Sequence, residues 1–124
     1  YHKILEQFIF DPFFKSISYH KFGLRVNISE FMQMPNHFWQ ESIIKMFHTM
    51  NTKVPTKRSI DNFYDCIQRS KKGLINLSKS HVVYIDNEPN LHILDINMVN
   101  GFMRKINLDN NDWQYLILNI NKSI

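Results

Sequence analysis

Residues 34–96 read MPNHFWQESIIKMFHTMNTKVPTKRSIDNFYDCIQRSKKGLINLSKSHVVYIDNEPNLHILDI. The first half of this stretch contains two apolar patterns of helical period, joined by a short basic turn. The second half contains runs of alternating or β-branched residues separated by turn residues. We therefore predict an α+β fold in which a two-helix hairpin packs with short antiparallel β-strands.

The two helices of this hairpin are predicted from their apolar faces and their ends. The first runs from Pro35-Asn36 to Met50, and its core side is formed by Trp39, Ile43, Met46, Phe47 and Met50. The second begins at Lys57, with Thr56 as its N-cap, and runs to about Ser70, with Gly73 as its C-terminal stop. Its apolar arc contains Ile60, Phe63, Tyr64 and Ile67.

Strands are predicted on both sides of the hairpin. Residues 15–31 alternate with period two, and the runs GLINLS, SHVVYID and LHILDI follow the second helix. Beyond them, 102–108 and 113–120 are two further strand candidates, while residues 1–14 suggest a helix that Asp11-Pro12 ends. The resulting organisation is a lead-in at 1–21 from a preceding domain, a central unit at 22–96, and additional strands at 97–124.

Composition limits the class of protein. The 124 residues are 44% hydrophobic and 14% aromatic, which is typical of a chain that folds. Cys66 has no partner for an intramolecular disulfide, so we expect a reducing compartment, the cytoplasm. We expect no membrane segment, because no run of about 18 apolar residues occurs. Since the chain starts at Tyr1 rather than Met, we expect a fragment of a longer protein.

Positive charge is concentrated in residues 53–79. That segment carries seven basic and two acidic side chains, a net charge of +5, whereas the other residues carry eight basic and nine acidic ones, a net charge of −1. A localised basic patch indicates a polyanionic partner. The predicted phosphate contacts are the cations gathered at the two ends of the second helix: Lys53, Lys57, Arg58, Arg69, Lys71 and Lys72.

The sequence predicts no catalytic residue, metal site or cofactor site in this chain. Its three glycines lie far apart, so they cannot form a phosphate-binding loop, and its six histidines show no metal-ligand spacing. Asp61 and Asp65 share a helix face, and their spacing with Lys57 and Arg69 predicts a solvated row of ion pairs. Cys66 is predicted to be a core thiol.

From Phe22 to Ile96 the order of elements resembles the substrate-binding region of tRNA(Ile)-lysidine synthetases. The similarity rests on the strand at 24–28, the helix at 38–50, the step Val54-Pro55-Thr56-Lys57-Arg58 into the next helix, and the hairpin that ends in Leu91-His92-Ile93. It covers roughly 75 residues, and its motifs are loose patterns.

This resemblance implies a specific partner. The family ligates lysine to the wobble cytidine of the CAU anticodon of tRNA(Ile), using ATP and Mg²⁺ bound to an N-terminal catalytic domain. The motif Ser-Gly-Gly-x-Asp-Ser of that domain does not occur in this sequence. The chain would therefore be a non-catalytic, tRNA-binding part of a ligase for tRNA modification, joined to the catalytic domain of the same protein.

Two other classes of function remain open. Two helices followed by a β-hairpin also describe a winged-helix DNA-binding module, although Asp61 and Asp65 would then face the bases. Alternatively, Phe10, Phe13, Phe14 and Trp39 could form a protein-interaction surface. If Phe13 and Phe14 pack on a missing domain, we expect the fragment to self-associate.

Overall fold

The computed structural model describes residues 11–71, 73–105 and 113–123. The α+β prediction is confirmed, because a five-stranded antiparallel sheet packs with a two-helix hairpin. The elements in chain order are α1 (residues 11–15), β1 (Ser18–His20), β2 (Gly23–Asn27), α2 (Asn36–Thr49), α3 (Lys57–Gln68), β3 (Gly73–Asn76), β4 (His81–Ile85), β5 (Asn90–Asp95), α4 (Ile96–Lys105) and α5 (Trp113–Ser123). None of the helices in these residues is long and apolar enough to cross a membrane.

The strand order in the sheet is β1-β2-β5-β4-β3, and every neighbouring pair is antiparallel. Strand β5 lies at the centre, where Ile93 pairs with Leu24 on one side and with Val83 on the other. All of β4 is buried, as are Leu91 to Leu94 of β5. Such burial on both faces requires a layer of helices on each side of the sheet.

The predicted helical hairpin covers one face of the sheet. Trp39, Ile43, Met46 and Phe47 of α2 are fully buried, which confirms the predicted core stripe. From α3, Ile60, Phe63 and Ile67 join the same core, with Cys66 beside them as a buried free thiol. Their partners from the sheet are Leu24, Val26, Val83, Ile85, Leu91 and Ile93.

The opposite face of the sheet is covered by α4 and α5, and here the predicted C-terminal strands are wrong. Val99 and Met103 of α4, and Leu116, Ile117 and Ile120 of α5, are buried at helical spacing against Val82, Tyr84 and Leu94. Helix α4 begins where Oδ1 of Asp95 accepts hydrogen bonds from the backbone N–H groups of Asn97 and Met98. Residues 106–112, including part of one predicted strand, lie outside the described residues.

The predicted stop of α3 at Gly73 is also wrong. Helix α3 ends at Gln68, because Arg69 is its C-cap and Ser70 has a left-handed φ of 53°. Gly73 instead begins β3. Residues 11–15, which include Asp11-Pro12, are helical, and residues 1–10, on which the rest of the predicted helix falls, lie outside the described residues.

The predicted boundary at residue 21 falls inside one unit. Phe13 is completely buried, with ring centroids 4.9 Å from Phe31 and 5.1 Å from Phe38. Strand β1 pairs with β2 across this boundary. The described part of the lead-in therefore belongs to the same core, and Phe13 needs no other domain to cover it. Phe10 lies outside the described residues.

Candidate nucleic-acid interface

The connection between α2 and α3 places the first group of basic side chains. The chain turns at Asn51, whose φ is 56°, and Thr52 donates its backbone N–H to the carbonyl of Phe47 over 3.0 Å. Lys53 follows in this connection, and its side chain is exposed. It therefore lies next to the N-terminal end of α3 along the chain.

At that end, Thr56 is the predicted N-cap. Its backbone is extended, and its Oγ1 accepts a hydrogen bond from the N–H of Ser59 over 3.2 Å. Lys57 and Arg58 are exposed in the first turn, which contains no acidic residue. The N-terminal end of a helix carries partial positive charge, and two cations there make the local electrostatic potential more positive. This end of α3 therefore favours the binding of an anion.

The second group of basic side chains lies at the other end of α3. Arg69 forms an ion pair with Asp65, with 3.2 Å between Nη2 and Oδ2, as predicted from their spacing. Both side chains are more than half exposed, so this pair adds little stability. Lys71 is exposed, and its backbone N–H bonds to the carbonyl of Cys66. Lys72 lies outside the described residues.

Asp61 departs from the predicted row of ion pairs. Its Oδ1 accepts hydrogen bonds from Asn36 Nδ2 and Gln40 Nε2, each over 3.1 Å, so the carboxylate joins α3 to α2. The hydrogen bonds from Asn36 and Gln40, more than the nearby Lys57, lower the pKa of Asp61. Among the described residues no ion pair joins Lys57 to Asp61, which corrects that part of the prediction.

The described residues among the predicted phosphate contacts form a surface with positive charge near both ends of α3. Lys53, Lys57, Arg58 and Lys71 are exposed and have no ion pair within the described part of the chain. From Lys57 to Arg69 the helix rises about 18 Å, at 1.5 Å per residue. The two groups of cations are therefore far enough apart to contact different phosphates of one nucleic acid.

A partly buried polar pair, which the local sequence pattern does not indicate, lies on the other face of the sheet. Nε2 of His92 lies 3.2 Å from Oδ2 of Asp86, and only 1% of the His92 side chain is exposed. Burial lowers the pKa of His92, and the adjacent Asp86 offsets that effect only in part. Nearby, Nη1 of Arg25 donates to Oδ1 of Asn121 over 2.9 Å, which joins the sheet to α5.

Asp86 also organises the β4–β5 turn. Its Oδ1 accepts the backbone N–H groups of Glu88 over 3.0 Å and of Asn90 over 2.6 Å. Burial raises the pKa of Asp86, but these two hydrogen bonds and the one from His92 outweigh it, so the pKa is lowered overall. The pair is explained by this structural role.

The described residues contain no group of three histidine, cysteine or carboxylate side chains that could hold a metal ion. No family model matches the chain, and neither a curated protein nor a solved structure shows significant similarity to it.

Proposed function

We propose that this chain is the non-catalytic, tRNA-binding part of a tRNA(Ile)-lysidine synthetase, in which cations at the two ends of α3 contact phosphates. The observation that carries the proposal is a set of exposed cations that form no ion pair with another described residue: Lys53, Lys57, Arg58 and Lys71. Arg69, released from Asp65, and Lys72 complete the proposed contacts.

The two acidic groups of α3 do not cancel this patch. Asp61 stays charged near Lys57 but is hydrogen-bonded to Asn36 and Gln40 rather than ion-paired, and Asp65 pairs with its neighbour Arg69, so residues 53–79 keep their net charge of +5. The unpaired cations are therefore left to interact with an anion. Lysine and arginine bound to phosphates release counterions, which gives affinity that depends on salt and little on sequence.

The choice of tRNA rests on the resemblance between residues 22–96 and the substrate-binding region of the synthetases. The elements that carry this resemblance, a strand before a helical hairpin and a β-hairpin after it, occur in the same order in the fold. A preceding catalytic domain, with its ATP and Mg²⁺, would act on the wobble cytidine while this part holds the tRNA.

The test is fluorescence anisotropy of labelled tRNA(Ile) with a CAU anticodon, with another tRNA and duplex DNA as competitors. We expect preference for tRNA and a slope of log affinity against log salt of about −4 to −5, as the six proposed phosphate contacts would give. Preference for duplex DNA would favour a winged-helix module instead. No binding to any nucleic acid would contradict both.

A matched pair of variants tests the patch itself. Lys57→Glu with Arg58→Glu should weaken tRNA binding by roughly tenfold or more, because two phosphate contacts become repulsive. Arg104→Glu with Lys105→Glu makes the same change of charge at exposed positions of α4, on the opposite face of the sheet. Equal loss in the two double variants would show that overall charge, rather than this patch, causes the binding.

A further inference from the structure

An open cavity of about 600 Å³ lies at the end of the sheet where β2 and β4 begin and β5 ends. Its walls are residues 19–23 of the β1–β2 hairpin, residues 49–52 at the end of α2, and residues His81 and Asp95. A smaller groove of about 410 Å³ shares Asn51 and Thr52 with this cavity and extends to His48 and Lys53. The cavity therefore continues to one end of the basic patch.

The cavity combines an aromatic side chain with hydrogen-bonding groups. The side chain of Tyr19, on the edge strand β1, is 43% exposed, so its ring is accessible to a ligand. Asp95 and His81 are register partners across β4 and β5. Within the described residues, the recorded hydrogen bonds to the Asp95 side chain all go to Oδ1, which leaves Oδ2 to accept a hydrogen bond from a ligand.

Positive charge lies at the rim, while the two histidines among the lining residues, His20 and His81, are neutral at pH 7. Lys21 is exposed in the hairpin turn, and Lys53 is exposed in the adjoining groove. Burial, followed by the nearby His92 and Arg25, lowers the pKa of His20 to about 4. Burial also lowers the pKa of His81. Because the neutral histidines do not offset the negative charge of Asp95, the interior of the cavity disfavours a phosphate. A phosphate would bind more favourably next to Lys21 and Lys53 at the rim.

We propose that this cavity binds one unpaired base of the RNA held by the basic patch, and that the base carries an exocyclic amino group. The proposal rests on the proposed function. Tyr19 would stack on the base, as aromatic side chains do on splayed-out bases of single-stranded RNA. Oδ2 of Asp95 would accept the amino group, as carboxylates accept the N4 amino group of cytosine.

The backbone on either side of such a base would run toward the two lysines. Lys21 would contact the phosphate on one side, and Lys53 would contact the phosphate on the other, where the groove joins the patch. Uracil lacks an exocyclic amino group and presents carbonyl oxygens, which the Asp95 carboxylate repels. The cavity should therefore discriminate cytosine from uracil.

The experiment compares three labelled RNAs by anisotropy: a hairpin with a loop of cytidines, the same stem with a loop of uridines, and a fully paired duplex. We expect the wild-type chain to bind the cytidine loop most tightly. Tyr19→Ala should weaken binding to the cytidine loop by about tenfold, the loss of one stacked base, without changing binding to the duplex. Tyr19→Phe should retain the wild-type affinity.

Further variants separate the ring from the fold. Tyr19→Leu keeps an apolar side chain on the strand and should behave as Tyr19→Ala does. Tyr115→Ala removes a similarly exposed tyrosine from α5, so it should bind as the wild type does. Asp95→Asn keeps an oxygen to cap α4 and should bind the cytidine and uridine loops equally.

If the wild type binds all three RNAs with equal affinity, and Lys57→Glu with Arg58→Glu weakens all three, the base-binding cavity is contradicted while the proposed function stands. If the wild type binds none of them, both proposals are contradicted. Unchanged affinity of Tyr19→Ala and Tyr19→Leu for the cytidine loop would also overturn the cavity proposal.

Discussion

The buried His92 and the partly exposed Asp86 form a pair across the β4–β5 hairpin, with 3.2 Å between Nε2 of the imidazole and Oδ2 of the carboxylate. Asp86 is ionised at neutral pH because its pKa is lowered, so it can only accept hydrogen bonds. The neutral His92 therefore carries its proton on Nε2 and donates it to Asp86. This pair, together with the N–H groups of Glu88 and Asn90, fixes the turn next to α5.

The first prediction concerns Asp86. Asp86→Ala should lower the free energy of unfolding by about 2–4 kcal/mol, because it leaves a buried imidazole N–H and two backbone N–H groups without their acceptor. Asp86→Asn should cost less, since its oxygen can still accept the backbone groups. Urea denaturation measures both, with the exposed Asn87→Ala as the control. A loss in Asp86→Ala no larger than in Asn87→Ala would contradict the role of the pair.

The second prediction is a loss of stability in mild acid. The pKa values of His20, His81 and His92 are all lowered, mainly by burial, so the folded state holds these groups neutral. The unfolded chain, with histidine pKa values near 6.5, binds more protons below that pH. Stability should therefore be complete above about pH 6.5 and fall as the pH approaches 4, by roughly 1–3 kcal/mol after discounting for solvent screening.

The lowered pKa values of the Asp61 and Asp86 carboxylates affect the stability of the fold only at lower pH. Asp61 and Asp86 stabilise the fold above their ordinary pKa, near 3.8, and this contribution is lost as the pH falls below it. Urea denaturation between pH 7.5 and 4.5 therefore isolates the histidines. His20→Asn, whose Oδ1 can still accept the N–H of Phe22, should reduce the pH dependence, and the exposed His37→Gln should not. Equal slopes in both variants would contradict this assignment to His20.

The third prediction compares two glycines. Gly23 has a φ of 146°, and a Cβ there would collide with the carbonyl group of Ile93 on the neighbouring strand. Gly23→Ala should therefore cost at least about 2 kcal/mol of unfolding free energy. Gly101 lies in α4 with open space around it, so Gly101→Ala should stabilise the chain by up to about 1 kcal/mol. Thermal denaturation that shows the same direction for both would contradict this interpretation.

The hairpin of α2 and α3 could be predicted because its signals are local. Thr56 caps α3 through Ser59, three residues away, and Trp39, Ile43 and Phe47 repeat on one face of α2. The prediction of a strand at 113–120 is wrong because the β-branched residues Ile117 and Ile120 favour strands by intrinsic propensity. Their burial in a helix depends on contact with one face of the sheet, and the local pattern does not show that contact. One local signal does indicate α4, because aspartate is a common N-cap residue and Asp95 stands directly before Ile96, where the helix begins.

The polar contacts depend on tertiary structure in the same way. Asp61 has Lys57 one helical turn away, yet it binds Asn36 and Gln40, which reach it only when α2 and α3 pack together. The cavity beside Tyr19 likewise joins residues far apart in the chain through the register of β4 and β5. The local spacing predicts the exposed cations at the ends of α3. It does not predict that Asp65 forms an ion pair with Arg69 whereas Asp61 forms none with Lys57 among the described residues.

The last prediction uses Asp65 to test the basic patch by adding positive charge rather than removing it. Asp65→Asn frees Arg69 from its ion pair, 3.2 Å long, and removes a negative charge from the polar face of α3. Affinity for tRNA should rise by about two- to threefold, and the salt slope should become steeper by up to ~1, because Arg69 then contacts its phosphate without competition from Asp65. Glu30→Gln removes the same charge from an exposed position before α2 and should leave the slope unchanged. Titration of labelled tRNA over a salt series measures both values. An unchanged slope in Asp65→Asn would remove Arg69 from the proposed contacts.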